Sequence, residues 1–273
     1  MCKALLLFHF DFGDLVRWLG GDYTHDHIDH DSTKEALVAL RSVQQGEFYP
    51  KQNFDRVFHS FIHGVPDNAA YECTIKDVLA RNLYNSHTGS QPYLTSMLSK
   101  IADDVNSHFM IAFPRWIWPF LYGLFFSPLG YVQKKGRGRT VVDPTHLVNG
   151  DNDTGALNSY LDKSNPLQVP PVFYQSAQIR HWTHIYNMRI THKAEDILLY
   201  KDDIQAVFKR TRYHPDISIT HAYVCLEWLL IPIGEIFGGR GSAGWFCMQS
   251  EVRALAAAHL PTIQHSDIQP LSK

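Results

Sequence analysis

The stretch from Ile111 to Val132, IAFPRWIWPFLYGLFFSPLGYV, restricts the fold more than any other part of the chain. It is apolar and aromatic for about twenty residues, the length of a bilayer-spanning helix. Yet it carries Arg115 and prolines at 114, 119 and 128. Proline removes a helical N–H and its ring collides with the preceding turn, and hydrocarbon supplies no replacement hydrogen bond. A buried aromatic connection within a protein core is therefore expected, and not a membrane span. A 273-residue chain that is 45% hydrophobic and 19% charged can build such a core, which excludes a disordered tail.

Charge and cysteine usage narrow the function classes. With 25 basic and 27 acidic residues the formal net charge is -2, so no global basic field exists and nucleic-acid binding must use a local patch. Cys2, Cys73, Cys225 and Cys247 are far apart and form no C-x-x-C pair, which excludes a zinc ribbon and favours a reducing, intracellular setting in cytoplasm or nucleus. The apolar run Ala4 to Phe8 is cut by His9 and Asp11, too early for a signal peptide.

Residues 1–92 form a region of unclear fold, mixed and mostly helical. Ala36, Leu37, Leu40 and Val43 recur at helical spacing between Thr33 and Gln45, and a second helix is expected within Asn68 to Tyr84. Ahead of the first helix, His25, His27 and His30 lie among Asp22, Asp26, Asp29 and Asp31. Imidazole and carboxylate together can hold zinc, iron or manganese. A solvated polar loop capping the helix would look the same, and both readings stay open.

From Tyr93 to the end the pattern sharpens. Leu94, Met97, Leu98, Ile101, Val105 and Phe109 share a helical face, with the helix expected to stop before Pro114. Arg139 to Thr145, RTVVDPT, is β-branched and follows the turn-rich Lys135-Gly136-Arg137-Gly138, which predicts a hairpin with a basic tip. Asp151 to Gln168 is rich in Asn, Asp, Ser and Gly and reads as an insertion or mobile loop. Ile217 to Cys225 and Leu229 to Ile236 read as paired strands around Glu227. A helix is expected from Ser242, with Trp245, Met248, Val252, Leu255 and His259 on one face.

Three of these segments stand in a telling order. SPLGYVQKKGRGRTVVDPTHLVN (Ser127 to Asn149) resembles the fingers segment of retrotransposon-type reverse transcriptases, RNA-directed DNA polymerases. DDIQAVFKRTRYHPD (Asp202 to Asp216) resembles that family's first catalytic palm motif, in which an Asp is followed five residues on by an aromatic and twelve on by a proline, as Asp203, Phe208 and Pro215 are. FGGRGSAGWF (Phe237 to Phe246) is similar to its next motif, although Ala243 stands where many relatives have proline. The resemblance covers Met97 to His259.

It implies an α+β fold, an incomplete fingers and palm domain over 93–273. It implies that Asp203 is catalytic and ligates Mg2+, because nucleotidyl transfer uses two divalent ions held by carboxylate oxygen. Lys134, Lys135 and Arg139 would clamp the triphosphate, Phe208 would lie under the incoming sugar, and Gly238 would admit a nucleotide or template to the backbone. The implied partners are an RNA template, a DNA primer and a deoxynucleoside triphosphate. The family's aromatic-x-Asp-Asp hairpin does not follow Gly238; the one literal match, Tyr200 to Asp203, precedes it. With one credible carboxylate the chain is expected to be a retroelement-derived fragment inactive by itself. The alternatives are a nucleic-acid-binding remnant without catalysis and a metal-dependent enzyme centred on His25, His27 and His30.

Overall fold

The computed structural model describes residues 1–21, 55–57, 59–60, 63–66, 87–134, 137–146, 156–161, 164–166, 169–172, 177–194 and 207–258. They form a mixed α/β fold with several helices and two small sheets. The larger sheet is antiparallel and built from β1 (Met110–Pro114), β4 (Tyr223–Cys225) and β5 (Trp228–Pro232), in the order β1-β5-β4. Ala112 lies opposite Leu230 and Tyr223 opposite Leu230 on the other side. The smaller sheet is a hairpin of β2 (Leu129–Lys134) and β3 (Arg137–Val142).

Alternation of side chains across a strand explains why the larger sheet is apolar throughout. Ile111, Phe113, Val224, Leu229 and Ile231 face one cluster, which includes Leu5, Phe12, Leu15 and Val16 from the short helices α1 (Cys2–Leu7) and α2 (Phe12–Val16). Met110, Tyr223, Cys225 and Leu230 face a second cluster with Met97 and Ile101 of α3 (Leu94–Asn106) and Leu129 of β2. The sheet is thus covered on both sides. Asp11 caps α2 by accepting from the Asp14 N–H at 2.9 Å, and Arg17 bridges to Asp216 at 2.6 Å, fastening α2 to α6 (Pro215–Ser218).

Several local expectations are corrected. The helical face expected to reach Phe109 ends at Asn106. His108 takes the left-handed conformation (φ 55), its N–H bonds to Val105 O at 3.0 Å, and the Phe109 N–H bonds to Asp104 O at 2.9 Å. That paired pattern is a Schellman stop, after which β1 starts. The strand expected from Ile217 begins only at Tyr223, because His214 accepts the Asp216 N–H and Pro215 occupies the first helical position, so the chain turns through α6 and a 3-10 turn at Ile219–His221. Within the supposed mobile loop, Ala156, Leu157, Asn158 and Leu161 are buried.

The aromatic connection is buried at Phe113, Ile117, Leu121, Leu124, Phe125, Phe126 and Leu129, whereas Trp116, Phe120 and Tyr122 are exposed. Among the described residues no helix is long and apolar enough to cross a membrane. Two longer helices are α4 (Ala177–Thr191), with Ile179, Trp182 and Tyr186 exposed, and α7 (Ser242–Ala258), where Trp245 and Met248 are buried. The helix expected from Ser242 is α7. The helices expected within Thr33 to Gln45 and Asn68 to Tyr84 lie outside the described residues.

Candidate functional site

The basic hairpin pairs Lys134 with Arg137 and Val132 with Arg139. Arg139 is exposed, and Lys135 lies outside the described residues. Tyr131, on the opposite face of its strand from Val132, stacks on Tyr93 with ring centroids 4.5 Å apart, and the Tyr93 hydroxyl donates to Gln133 Oε1 at 2.6 Å. One side of the hairpin is therefore fixed to the segment leading into α3. Gly138, expected in the turn, is already in β3; a Cβ there would fall 1.6 Å from the Tyr131 hydroxyl, so the missing side chain makes room for that ring.

Phe208 sits half-buried on the short helix α5 (Val207–Arg210). It meets Phe237 at 5.8 Å and Phe246 at 5.7 Å, both edge to face, an arrangement worth about 0.5–1.5 kcal/mol per pair beyond simple burial. Next to it, Lys209 forms an ion pair with Asp104 at the end of α3. Gly234 permits this approach, since a Cβ there would lie 2.0 Å from the Lys209 carbonyl oxygen.

Gly238 has φ +110, where a residue with a Cβ is strained, and a Cβ would meet Val142 O at 3.1 Å and the Pro144 ring at 3.3 Å. The Phe-Gly segment thus rests on the end of β3. Asn158 clasps the two: its backbone N–H donates to Pro144 O at 3.0 Å, its Nδ2 donates to Gly238 O at 3.0 Å, and its Oδ1 accepts from the Arg240 N–H at 2.9 Å. So Phe208, Gly238 and the strand carrying Arg139 are brought together. Asp203, His25, His27 and His30 lie outside the described residues.

At the base of the hairpin is a group that the sequence reading did not single out. His87, Asp143 and His146 place one ligand atom each within 4.8 Å of one another, a cluster able to coordinate a metal ion. His87 Nε2 is 3.2 Å from Asp143 Oδ2, and the His87 and His146 rings meet edge to face at 5.1 Å. Burial pushes the Asp143 carboxyl up, but hydrogen bonds from Thr145 and His87 outweigh it and hold the group below its usual range. Asp143 and His146 were visible together in the DPTH of the fingers segment; His87 is 56 residues away from Asp143 and only the fold joins them.

Magnesium, which the resemblance implies at Asp203, prefers oxygen donors. The cluster here offers two imidazoles and one carboxylate, so it does not fit magnesium. Cys225 is buried, and burial pushes its thiol up, away from reactivity. The described residues define a mixed α/β protein with a two-histidine, one-carboxylate cluster beside a basic hairpin. Comparison with known proteins finds no matching family model, no similar curated protein and no similar solved structure.

Proposed function

We propose that the chain is the fingers and part of the palm of a reverse-transcriptase-type polymerase, binding an RNA template and DNA primer through its basic hairpin without extending the primer unaided. One observation supports this reading above the others. Three segments distant in sequence meet: Phe208 touches Phe237, Gly238 rests on Val142 and Pro144, and that same strand carries Arg139. In this reading Phe208 forms the floor below the sugar, Gly238 leaves backbone open to the nucleotide, and Lys134, Lys135 and Arg139 hold phosphates. Between Ser127 and Asn149 four basic residues oppose one acid, Asp143. Two-metal transfer needs carboxylates converging from separate strands, and Asp203 alone is supplied by the motifs, hence the inactivity.

The test is anisotropy of a labelled RNA–DNA hybrid across a salt series. About three phosphate contacts give a slope near -2 to -3 in log K against log salt. Replacing Lys134, Lys135 and Arg139 together by Ala should flatten it, and an unchanged slope overturns the clamp. Primer extension by the 273-residue chain is expected to be undetectable. Extension abolished by Asp203→Asn would overturn the inactivity and establish the catalytic carboxylate.

A further inference from the structure

We propose that His87, Asp143 and His146 bind one zinc ion, which fastens the segment leading into α3 to the base of the β2–β3 hairpin. This inference uses none of the residues to which the polymerase reading gives a catalytic or phosphate-binding role, although Asp143 and His146 lie in its fingers-like segment. Its first support is the frame. The His87 N–H bonds to Leu129 O at 2.8 Å and the Asp143 N–H bonds to Pro128 O at 2.9 Å. Two ligands from opposite ends of a 56-residue separation are thus pinned to adjacent residues at the start of β2. His146 follows in the same turn, its N–H on Asp143 O at 3.3 Å.

The second support is the disposition of the carboxylate. Asp143 Oδ1 is taken by Thr145, through both the backbone N–H at 3.1 Å and the hydroxyl. That leaves Oδ2 directed at His87, the arrangement in which an outer partner orients a ligand and fixes which oxygen it presents. Gly130 assists, because a Cβ there would come within 3.4 Å of His87 Cδ2.

The donor set then selects the ion. Two imidazole nitrogens and one carboxylate oxygen suit borderline first-row ions over magnesium or calcium. Zinc takes such ligands at about 2.0–2.2 Å in tetrahedral geometry, which sets donor–donor edges of roughly 3.3 Å. The His87–Asp143 separation of 3.2 Å already matches that edge. Side chains of His87 and Asp143 are 38% and 33% exposed, so an ion can reach them from solvent, and a water would complete the four ligands.

The experiment uses the full chain, stripped with a chelator, dialysed and supplied with zinc chloride, then measured by native mass spectrometry and thermal melting. One zinc per chain and a raised melting temperature are expected, with cobalt(II) giving the visible absorption of a four-coordinate site. His146→Gln and Asp143→Asn should each abolish stoichiometric zinc and the thermal shift. Asp143→Asn keeps the acceptor for Thr145, which guards the turn, and circular dichroism verifies folding. Thr145→Val should weaken zinc about tenfold. A joint His25→Gln, His27→Gln, His30→Gln variant should retain the ion. Wild-type protein without stoichiometric zinc, zinc retained by folded His146→Gln, or zinc lost from the joint variant each overturns the proposal.

Discussion

Replacing Asn158 by Ala tests the clasp between the end of β3 and the Phe-Gly segment. The side chain is 5% exposed and makes two hydrogen bonds, to Gly238 O and from the Arg240 N–H, while its own backbone bond to Pro144 survives the substitution. Each lost bond costs about 1 kcal/mol where water can reach the abandoned partner. Gly238 is exposed and Arg240 half-buried, so rehydration is available and the full penalty of a sealed polar group does not apply. The two bonds together give a loss of about 2 kcal/mol. With a urea slope near 2 kcal/mol/M, the midpoint should fall by about 1 M at unchanged slope. Asn158→Asp keeps the acceptor for Arg240 but sets carboxylate oxygen against the Gly238 carbonyl, and should be no more stable than the Ala variant. A midpoint shift below about 0.25 M for Asn158→Ala would refute the clasp as a stabilising element.

Gly234→Ala should cost about 3 kcal/mol, because its Cβ would meet the Lys209 carbonyl at 2.0 Å and must displace the helix bearing Phe208; a urea midpoint equal to wild type contradicts that packing. Stability should also fall as pH drops below about 6.5. Burial lowers His214, opposed by Asp216 and reinforced by Arg17 and His63; burial also lowers His59, with the charges of His63 and His214 adding to it. The folded state then binds fewer protons than the unfolded chain in this window, so folding free energy is present above the ordinary histidine pKa and is lost as pH falls. Urea midpoints at pH 7.5 and 5.5 should differ less in a His59→Gln, His214→Gln double variant than in wild type, and equal differences refute the assignment.

How far the fold could be foreseen depended on whether the deciding contact was local. The basic hairpin was legible from β-branched residues beside a Gly-rich turn, but its turn was placed too late, because Gly138 is required by Tyr131 on the facing strand and not by turn geometry. The stop of α3 was hidden since His108, not glycine, adopts the left-handed conformation. Pro215 followed by Asp216 was a readable helix start that the apolar run from Ile217 outweighed. In the candidate site, the family resemblance pointed to Phe208 and Gly238, whereas the role of Asn158 rests on partners about 80 residues downstream. His87 carried no signal at all, because a lone histidine gains meaning only when the start of β2 holds it beside Asp143.

The position of the first helices sets an order for biosynthesis. Leu5, Phe12, Leu15 and Val16 join a cluster that Val224, Leu229 and Ile231 complete, and Arg17 pairs with Asp216, 199 residues later in the chain. At translation speeds of about 5–20 residues per second, roughly 10 to 45 s pass between synthesis of α1 and α2 and completion of the cluster that buries them. Throughout that interval these apolar residues have only part of their cluster to pack against, and they are exposed to chaperones and to neighbouring nascent chains. The residues of α1 and α2 are made long before the strands that complete their burial.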